Sequence, residues 1–380
     1  MKNVGILCEY NPFHNGHARQ LSLVRETGGV CVCLMSGNYV QRGEPAILDK
    51  WTRAEAALRC GADVVLELPV AYALRSAEGF AGGAVELFDR MGCMDALCFG
   101  SEEASLDKIM STAKTMETPA FSEALRVELR KGLSFPAARQ RALEAMGMEA
   151  AALESPNAIL AVEYCKALLR RESRMEPMLI HRNGDYHGGS TPDAPSASFL
   201  REQSDWRGFV PEAAFDVYAD APRYTAAAGE RAWLARLRAM EEAEFAGLPF
   251  GTEGLWRKVM AACRSECSIA AIAAAAKSKR YTHTRLMRML LCAYLGISGE
   301  MLMQPAPYVR VLAVSQRGQS VLHRAKKEGT LPLYHTGERV PQSGYAALER
   351  RAADLYELFC ISGENAAGRE NTARLLRRPH

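Results

Sequence analysis

Two histidines three residues apart, His14 and His17, flank Asn15-Gly16 in the stretch EYNPFHNGH, directly after the apolar run NVGILC. On a helical turn, residues three apart share a face, so both imidazoles can meet one ligand. A glycine at a helix start removes a side chain where phosphate oxygens approach backbone N–H groups and the positive end of the dipole. As donors, the two rings suit charge developing on an α-phosphate during in-line attack. Such a transfer needs positioning and charge stabilisation but no covalent enzyme intermediate. The same His-x-Gly-His spacing also fits a metal site or two capping histidines.

Other clusters have similar double readings. Ser196-Ala197-Ser198-Phe199-Leu200-Arg201 has the form of a serine-rich helix start that holds the outer phosphates of ATP through Ser198 and Arg201, or of a capped surface helix. The run Lys277-Ser278-Lys279-Arg280-Tyr281-Thr282-His283-Thr284-Arg285, with Arg288 beyond it, mixes cations with rings. Such a face contacts RNA phosphate and stacks on bases, or is simply solvated. Arg310, Arg317, Lys326 and Lys327 extend the same positive stretch. Cys263 and Cys267 lie one helical turn apart, but no second pair sits nearby, so they read as helix-face residues and no metal site is expected.

The elements that must position these groups alternate in period. β-rich runs occur at NVGILCEY, VCVCLMSG, DVVLELP and DALCFGSE, with helical patterns at HARQLSLVRETG, DKWTRAEAALRCG and AEGFAGGAVELFDRMG between them. That alternation predicts an α/β domain, a parallel sheet with right-handed crossovers, over residues 1–205. Residues 103–170 read as a helical insertion, and MEPMLIHR at 175–182 as a fifth strand. Ligands of open parallel sheets sit outside the carboxyl ends of the strands. There the sequence places Asn11 to His17, Ser36 to Gly43, Phe99 to Glu102 and His181 to Gly184, which predicts one polar rim. From 206 to 380 the pattern is mainly helical, with GERAWLARLRAMEEAEF as one segment. YVRVLAVSQRGQSVL reads as a strand or short hairpin.

With 380 residues, the chain suits two domains. No apolar stretch is long enough for a membrane span and no signal pattern opens the chain, which points to a soluble, cytoplasmic protein. The eleven cysteines are scattered through apolar runs and read as mostly buried thiols. The overall charge of +3 hides an asymmetry: residues 206–380 carry 25 basic and 17 acidic side chains, net +8, leaving −5 for residues 1–205. An acidic core joined to a basic half fits an enzyme with a polyanion-binding region.

The motifs EYNPFHNGH, SGNYVQRGEPA, GADVVLELP, FGSE, SPNAILAVEY and SKRYTHTRLMR, in this order, resemble the tRNA(Met) cytidine acetate ligase family over nearly the whole chain. The resemblance implies a Rossmann-like nucleotidyltransferase domain of the HIGH type followed by a mainly helical, tRNA-binding domain. It implies an enzyme that uses ATP and acetate to form acetyl-adenylate. The acetyl group then passes to the exocyclic amine of the wobble cytidine in elongator tRNA(Met), with Mg²⁺ accompanying the nucleotide. By motif, the ATP site falls on Leu7, Cys8, Glu9, Tyr10, Asn11, Pro12, Phe13, His14, Asn15, Gly16, His17 and Gln20, with Gly100, Asn157 and Arg182. Two positions depart from the family pattern: Gln20 stands where a third histidine is expected, and Trp256 of EGLWRKV where an asparagine is.

On this reading His14 and His17 stabilise the transition state of adenylation, and Ser198 and Arg201 hold the leaving pyrophosphate. Lys277, Lys279, Arg280, Arg285 and Arg288 contact tRNA. Asp49 and Lys50 are candidates for the group that takes the amine proton, against a plain surface helix start. Two other functions fit parts of the pattern: transfer of AMP to a small phosphorylated acceptor, and RNA binding without catalysis. The basic half argues against the first, and the intact His14, Gly16, His17 and Arg201 argue against the second.

Overall fold

A computed structural model describes residues 1–103, 105–148, 153, 155–182, 191–192, 195–363 and 365–378. The run VCVCLMS is buried along its whole length, as a strand covered on both faces must be. It forms β2 (Val30–Ser36) beside β1 (Asn3–Cys8). A short hairpin, β3 (Tyr39–Val40) and β4 (Glu44–Pro45), follows, and then come β5 (Val64–Leu68), β6 (Ala96–Ser101) and β7 (Glu176–His181). The five long strands lie parallel in the order β5-β2-β1-β6-β7. The chain builds outward from β1 in one direction, then crosses to the other side. Crossovers therefore diverge between β1 and β6, and a crevice opens at their carboxyl ends.

The link from β6 to β7 is the expected helical insertion. Its helices are Leu106–Met116, Pro119–Arg130, Phe135–Ala145 and Pro156–Arg170. Each starts on a side-chain cap from Ser105, Thr118, Ser134 or Ser155, and the last three carry proline in the first turn, where its missing N–H costs nothing.

From residue 206 the chain is mainly helical, yet it also completes the sheet. β8 (Val309–Ser315) runs antiparallel beside β5, and β9 (Leu333–His335) and β10 (Leu376–Arg378) pair with β8. Both sides of residue 205 thus share one sheet and one buried apolar cluster. Two local readings are corrected. YVRVLAVSQRGQSVL is a strand followed by the helix Gln316–Glu328, not a hairpin, because Ser315 caps the helix at Gly318 N–H. GERAWLARLRAMEEAEF is two helices, Glu230–Ala239 and Glu242–Ala246, separated where Met240 is extended. Nine of the eleven cysteines are buried; Cys263 is among them, while Cys267 is exposed. No helix among the described residues is long and apolar enough to cross a membrane.

A buried charge cluster fastens the C-terminal segment to the end of β5. Lys50 Nζ lies 2.7 and 2.8 Å from the two Glu67 oxygens and 2.5 Å from Glu370 Oε2. Arg310 Nε reaches Glu370 Oε1 at 3.1 Å. Burial alone would lower the Lys50 ammonium, but Glu370 and Glu67 outweigh it and hold the group above its usual range. Lys50→Met would leave Glu67 buried without its cation and Glu370 with Arg310 alone. Such a loss costs about 3–5 kcal/mol, so the urea midpoint should fall sharply. An unchanged midpoint would show that the cluster carries no net stability.

Candidate nucleotide site at the strand ends

A cavity of about 490 Å³ opens at the carboxyl ends of β1 and β6. Residues Leu7 to Asn11, His14, Gly16, His17 and Gln20 form its centre. On the β6–β7 side it is lined by Phe99, Gly100, Glu102, Asn157, Tyr164 and Arg182. Across from these stand Gln41, Arg42 and Glu44 of the β3–β4 hairpin, with Ser198 and Arg201 of the helix Ala197–Glu202. The predicted rim thus forms from the ends of β1, β2, β6 and β7. Asn183 and Gly184, expected in it, lie outside the described residues.

His14 is the N-cap of the helix Asn15–Glu26. Its Nδ1 accepts the Gly16 N–H at 3.2 Å, and its own N–H is donated to His17 Nδ1 at 3.3 Å. The rings stack with centroids 3.7 Å apart and planes 20° apart. A neutral imidazole that accepts at Nδ1 carries its proton on Nε2. Burial pushes both rings down, His14 to about 3 and His17 well below its usual range; Arg182 adds to both shifts, and His14 to that of His17. The pair therefore presents two neutral Nε2–H donors on stacked rings. The capping reading and the donor reading are one arrangement, since capping selects the tautomer. At Gly16 a Cβ would stand 3.1 Å from the His14 ring, so glycine also keeps that ring in place. Among the described residues no three His, Cys, Asp or Glu side chains converge as metal ligands.

Not every residue of the implied ATP stretch faces the cavity. Pro12, Phe13 and Asn15 do not line it. Phe13 is packed in the core with its N–H on Tyr218 Oη at 3.2 Å, and the Asn15 amide donates to the Pro192 and Gly208 carbonyls at 2.9 and 2.8 Å. Phe13 and Asn15 hold the loop to the chain beyond β7. Asn11 accepts the Ile47 N–H at 2.8 Å through Oδ1 and Arg201 Nη1 at 3.1 Å through its carbonyl. Arg201 also donates to Ser198 Oγ at 3.2 Å, so the two residues expected together are together. Gln20 lines the cavity and donates to Cys98 Sγ at 3.6 Å.

On the β6–β7 side, Gly100 leaves room for Arg182: a Cβ there would come 3.1 Å from the Arg182 stem. Glu102 accepts from Ser155 Oγ at 2.5 Å and Asn157 Nδ2 at 2.7 Å, and lies 3.7 Å from Arg182 Nε. Reasoning from sequence did not single out Glu102, although FGSE contains it. Arg42 stands in the predicted rim segment Ser36 to Gly43, with no role of its own assigned there, and it lines the cavity; the fully buried Arg53 was missed. Arg53 donates to the carbonyls of Glu9, Ser36, Gly37 and Leu48, binding the ends of β1 and β2 together.

The proton-acceptor expectation for Asp49 and Lys50 is corrected. Both are buried and neither lines the cavity. Asp49 caps the helix Lys50–Arg59 and binds Arg369 Nη2 at 3.1 Å, while Lys50 is held by Glu67 and Glu370. The positive run is also sorted by the fold. Lys277, Lys279 and Arg280 are exposed, with Arg280 lying 3.3 Å from Glu253. Arg285 donates to Phe250 O at 2.8 Å and Thr252 Oγ1 at 2.9 Å. Arg288 is buried over the Phe250 ring and donates to Gln41 O at 3.4 Å, so its charge is not offered at the surface as expected. Arg310 is buried in the Glu370 cluster, and Arg317 binds Gly29 O at the opposite end of the sheet. Trp256 packs beneath Arg257.

The crevice, the paired histidines and the parallel sheet define an α/β nucleotidyltransferase fold. The description HIGH Nucleotidyl Transferase matches residues 1–371. The chain is 36% identical to a tRNA(Met) cytidine acetate ligase of Clostridium acetobutylicum, over 88% of this chain and 90% of that one. It is 32% identical to one of Acetivibrio thermocellus, over 99% and 100%. Its structure superimposes on Thermotoga maritima TmcAL bound with alpha-thio ATP with a TM-score of 0.88 and on the apo form with 0.90. Each covers 100% of both chains at 29% identity. The chain belongs to the tRNA(Met) cytidine acetate ligase family of HIGH nucleotidyl transferases.

The depressed histidine gives a pH signature. The folded His14 value of about 3 lies below the ordinary 6.5, so the fold binds fewer protons than the unfolded chain in that window. Its contribution is present above pH 6.5 and is lost as pH falls toward 3. In urea unfolding between pH 7 and 4, wild type should lose stability more steeply than His14→Asn, whose Oδ1 can still cap. Equal slopes would show that His14 is not held neutral.

Proposed function

We propose that this chain is an ATP-dependent ligase that converts acetate to acetyl-adenylate and acetylates N4 of the wobble cytidine in elongator tRNA(Met). The observation that carries the reading is the stacked pair of neutral Nε2–H donors in a crevice lined by four arginines, in a chain matching such ligases over nearly its full length. Acting on tRNA, it works in the cytoplasm.

Acetate is a weak nucleophile, so the α-phosphate must be neutralised and the two reactants held in line. His14 and His17 donate to the α-phosphate oxygens, where negative charge grows. Ser198 and Arg201 hold the departing pyrophosphate, while Gly100, Asn157 and Arg182 receive the nucleoside side. With no cage of protein ligands among the described residues, Mg²⁺ would arrive on the triphosphate oxygens and supply charge neutralisation there. The cytosine amine is a poor nucleophile because its lone pair is delocalised into the ring, which is why the acyl group must be activated. The wobble base must also leave its stack to reach the carbonyl. Lys277, Lys279 and Arg280, the exposed cations of the basic half, contact the tRNA backbone, with Arg285 beside them.

Incubation with ATP, labelled acetate and bulk tRNA should place label in acetylated cytidine after digestion. Label-free RNA together with AMP transferred to a small phosphorylated acceptor would replace this reading. His17→Ala should cut acetate-dependent pyrophosphate release by about 100-fold or more, the usual size for loss of a transition-state donor, and leave tRNA affinity nearly unchanged. Equal loss of both would end the division of labour. Joint replacement of Lys277, Lys279 and Arg280 by alanine should weaken tRNA binding and lower its salt slope by about 2 to 3. An unchanged slope would move the RNA contact elsewhere.

A further inference from the structure

Acetyl transfer to an amine forms the N–C bond and breaks the C–O bond of acetyl-adenylate, whose electron pair leaves on AMP. One proton must leave N4. Among the described residues, three carboxylates line the cavity: Glu9, Glu44 and Glu102. Glu102 is committed to Ser155, Asn157 and Arg182. Glu44 lies on the hairpin, where it faces the Arg201 guanidinium.

Glu9 differs from both. It directly follows β1 and is half-buried, with Oε1 accepting the Gln41 N–H at 2.7 Å. Its backbone carbonyl is fixed by Arg53 Nη1 at 2.5 Å. A half-buried carboxylate repels a triphosphate and loses hydration, so a crevice built for nucleotide alone gains nothing from it. An incoming amine, which offers two N–H donors, does gain from it.

Glu9 also lies on the side joined to the basic half. The Gln41 that binds it accepts Arg288 Nη1 at 3.4 Å through its carbonyl. At Gly43 a Cβ would come within 2.4 Å of Arg288 N, so the hairpin rests directly on the helix His283–Leu295. The exposed cations Lys277, Lys279 and Arg280 immediately precede that helix. A base presented by RNA bound there approaches the cavity from the Glu9 side.

We propose that the Glu9 carboxylate receives the cytosine N4 proton during acetyl transfer and then passes it to water. The inference rests on the acetyl-transfer reading above. Burial pushes the Glu9 carboxyl up from its ordinary value, partly offset by the Gln41 N–H and by Arg201, Arg53 and Arg42, which makes it a stronger base than an exposed carboxylate. Tyr164 also faces it and is held above its usual range, so Glu9 is the titrating member of the group.

The test supplies chemically prepared acetyl-adenylate and tRNA under single-turnover conditions, bypassing adenylation. Glu9→Gln keeps an oxygen for the Gln41 N–H. It should slow transfer by about 100-fold, reduce ATP–pyrophosphate exchange far less, and abolish the rise of transfer rate with pH below neutrality. Glu9→Asp should transfer slowly but keep the pH rise, and it serves if the glutamine variant does not fold. Wild-type transfer rates in Glu9→Gln, equal losses of exchange and transfer, or loss of the pH rise in Glu9→Asp would each overturn the assignment. Failure of the wild type to transfer from acetyl-adenylate would instead sink the acetylation reading, and the role of Glu9 with it.

Discussion

The site depends on a reciprocal pair of hydrogen bonds that uses up both imidazole Nδ1 atoms. Gly16 N–H and His14 N–H are donors that a helix start leaves without intrahelical partners, and His14 and His17 accept them. Satisfying the backbone thereby fixes the tautomer of both rings and directs the Nε2–H groups away from the helix. The rings cannot both take a second proton cheaply, because they are stacked and near Arg182, with His14 buried and His17 half-buried. The result is a pair of directional dipoles and not a pair of cations. Such fixed donors stabilise developing charge without reorganising, and positive charge at the cavity is supplied separately by Arg19, Arg42, Arg182 and Arg201.

That geometry holds only if the loop before the helix is rigid. Arg53 ties four carbonyls at the ends of β1 and β2, Asn11 joins the loop to Ile47 and Arg201, and Tyr10 and Phe13 bury their rings in the core. A buried guanidinium is costly unless its donors are satisfied. Here each of its three nitrogens finds a carbonyl, so Arg53 works as a bolt and not as a binding charge. The motif is therefore conformational as much as chemical: His14, Gly16 and His17 face the cavity, and their neighbours hold them.

Most of the first half was legible in the sequence because each element there carries its own local signal. The buried β-rich runs, the helical periods between them and the glycine-polar strand ends all follow from neighbours in the chain, and the rim could be placed from them. Long-range facts were not legible. Nothing local marks Arg53 as a hub, Glu102 as the partner of Asn157, or Lys50 as one cation between two glutamates from opposite ends of the chain. Arg288 shows the same limit. In the sequence it continues a basic run, but in the fold it lies on the inward face of its helix and braces the Gln41 carbonyl.

This last contact changes what the second half is for. An acidic core with a basic appendage would need only a tether, and the site would be complete before the appendage docked. Instead, residues beyond 205 hold the His14–His17 loop itself: the Phe209 carbonyl accepts Asn15 N–H, Tyr218 Oη accepts Phe13 N–H, and Arg288 supports the hairpin that binds Glu9. β8 then adds to the sheet beside β5, and Glu370 closes the charge cluster at its end. The basic half is thus joined to the residues that line the cavity through hydrogen bonds and close backbone packing. On the proposed function, a chain that must bring a large polyanion to a small activated acyl group gains from this construction, because the proposed RNA surface and the proposed nucleotide crevice are joined through one sheet.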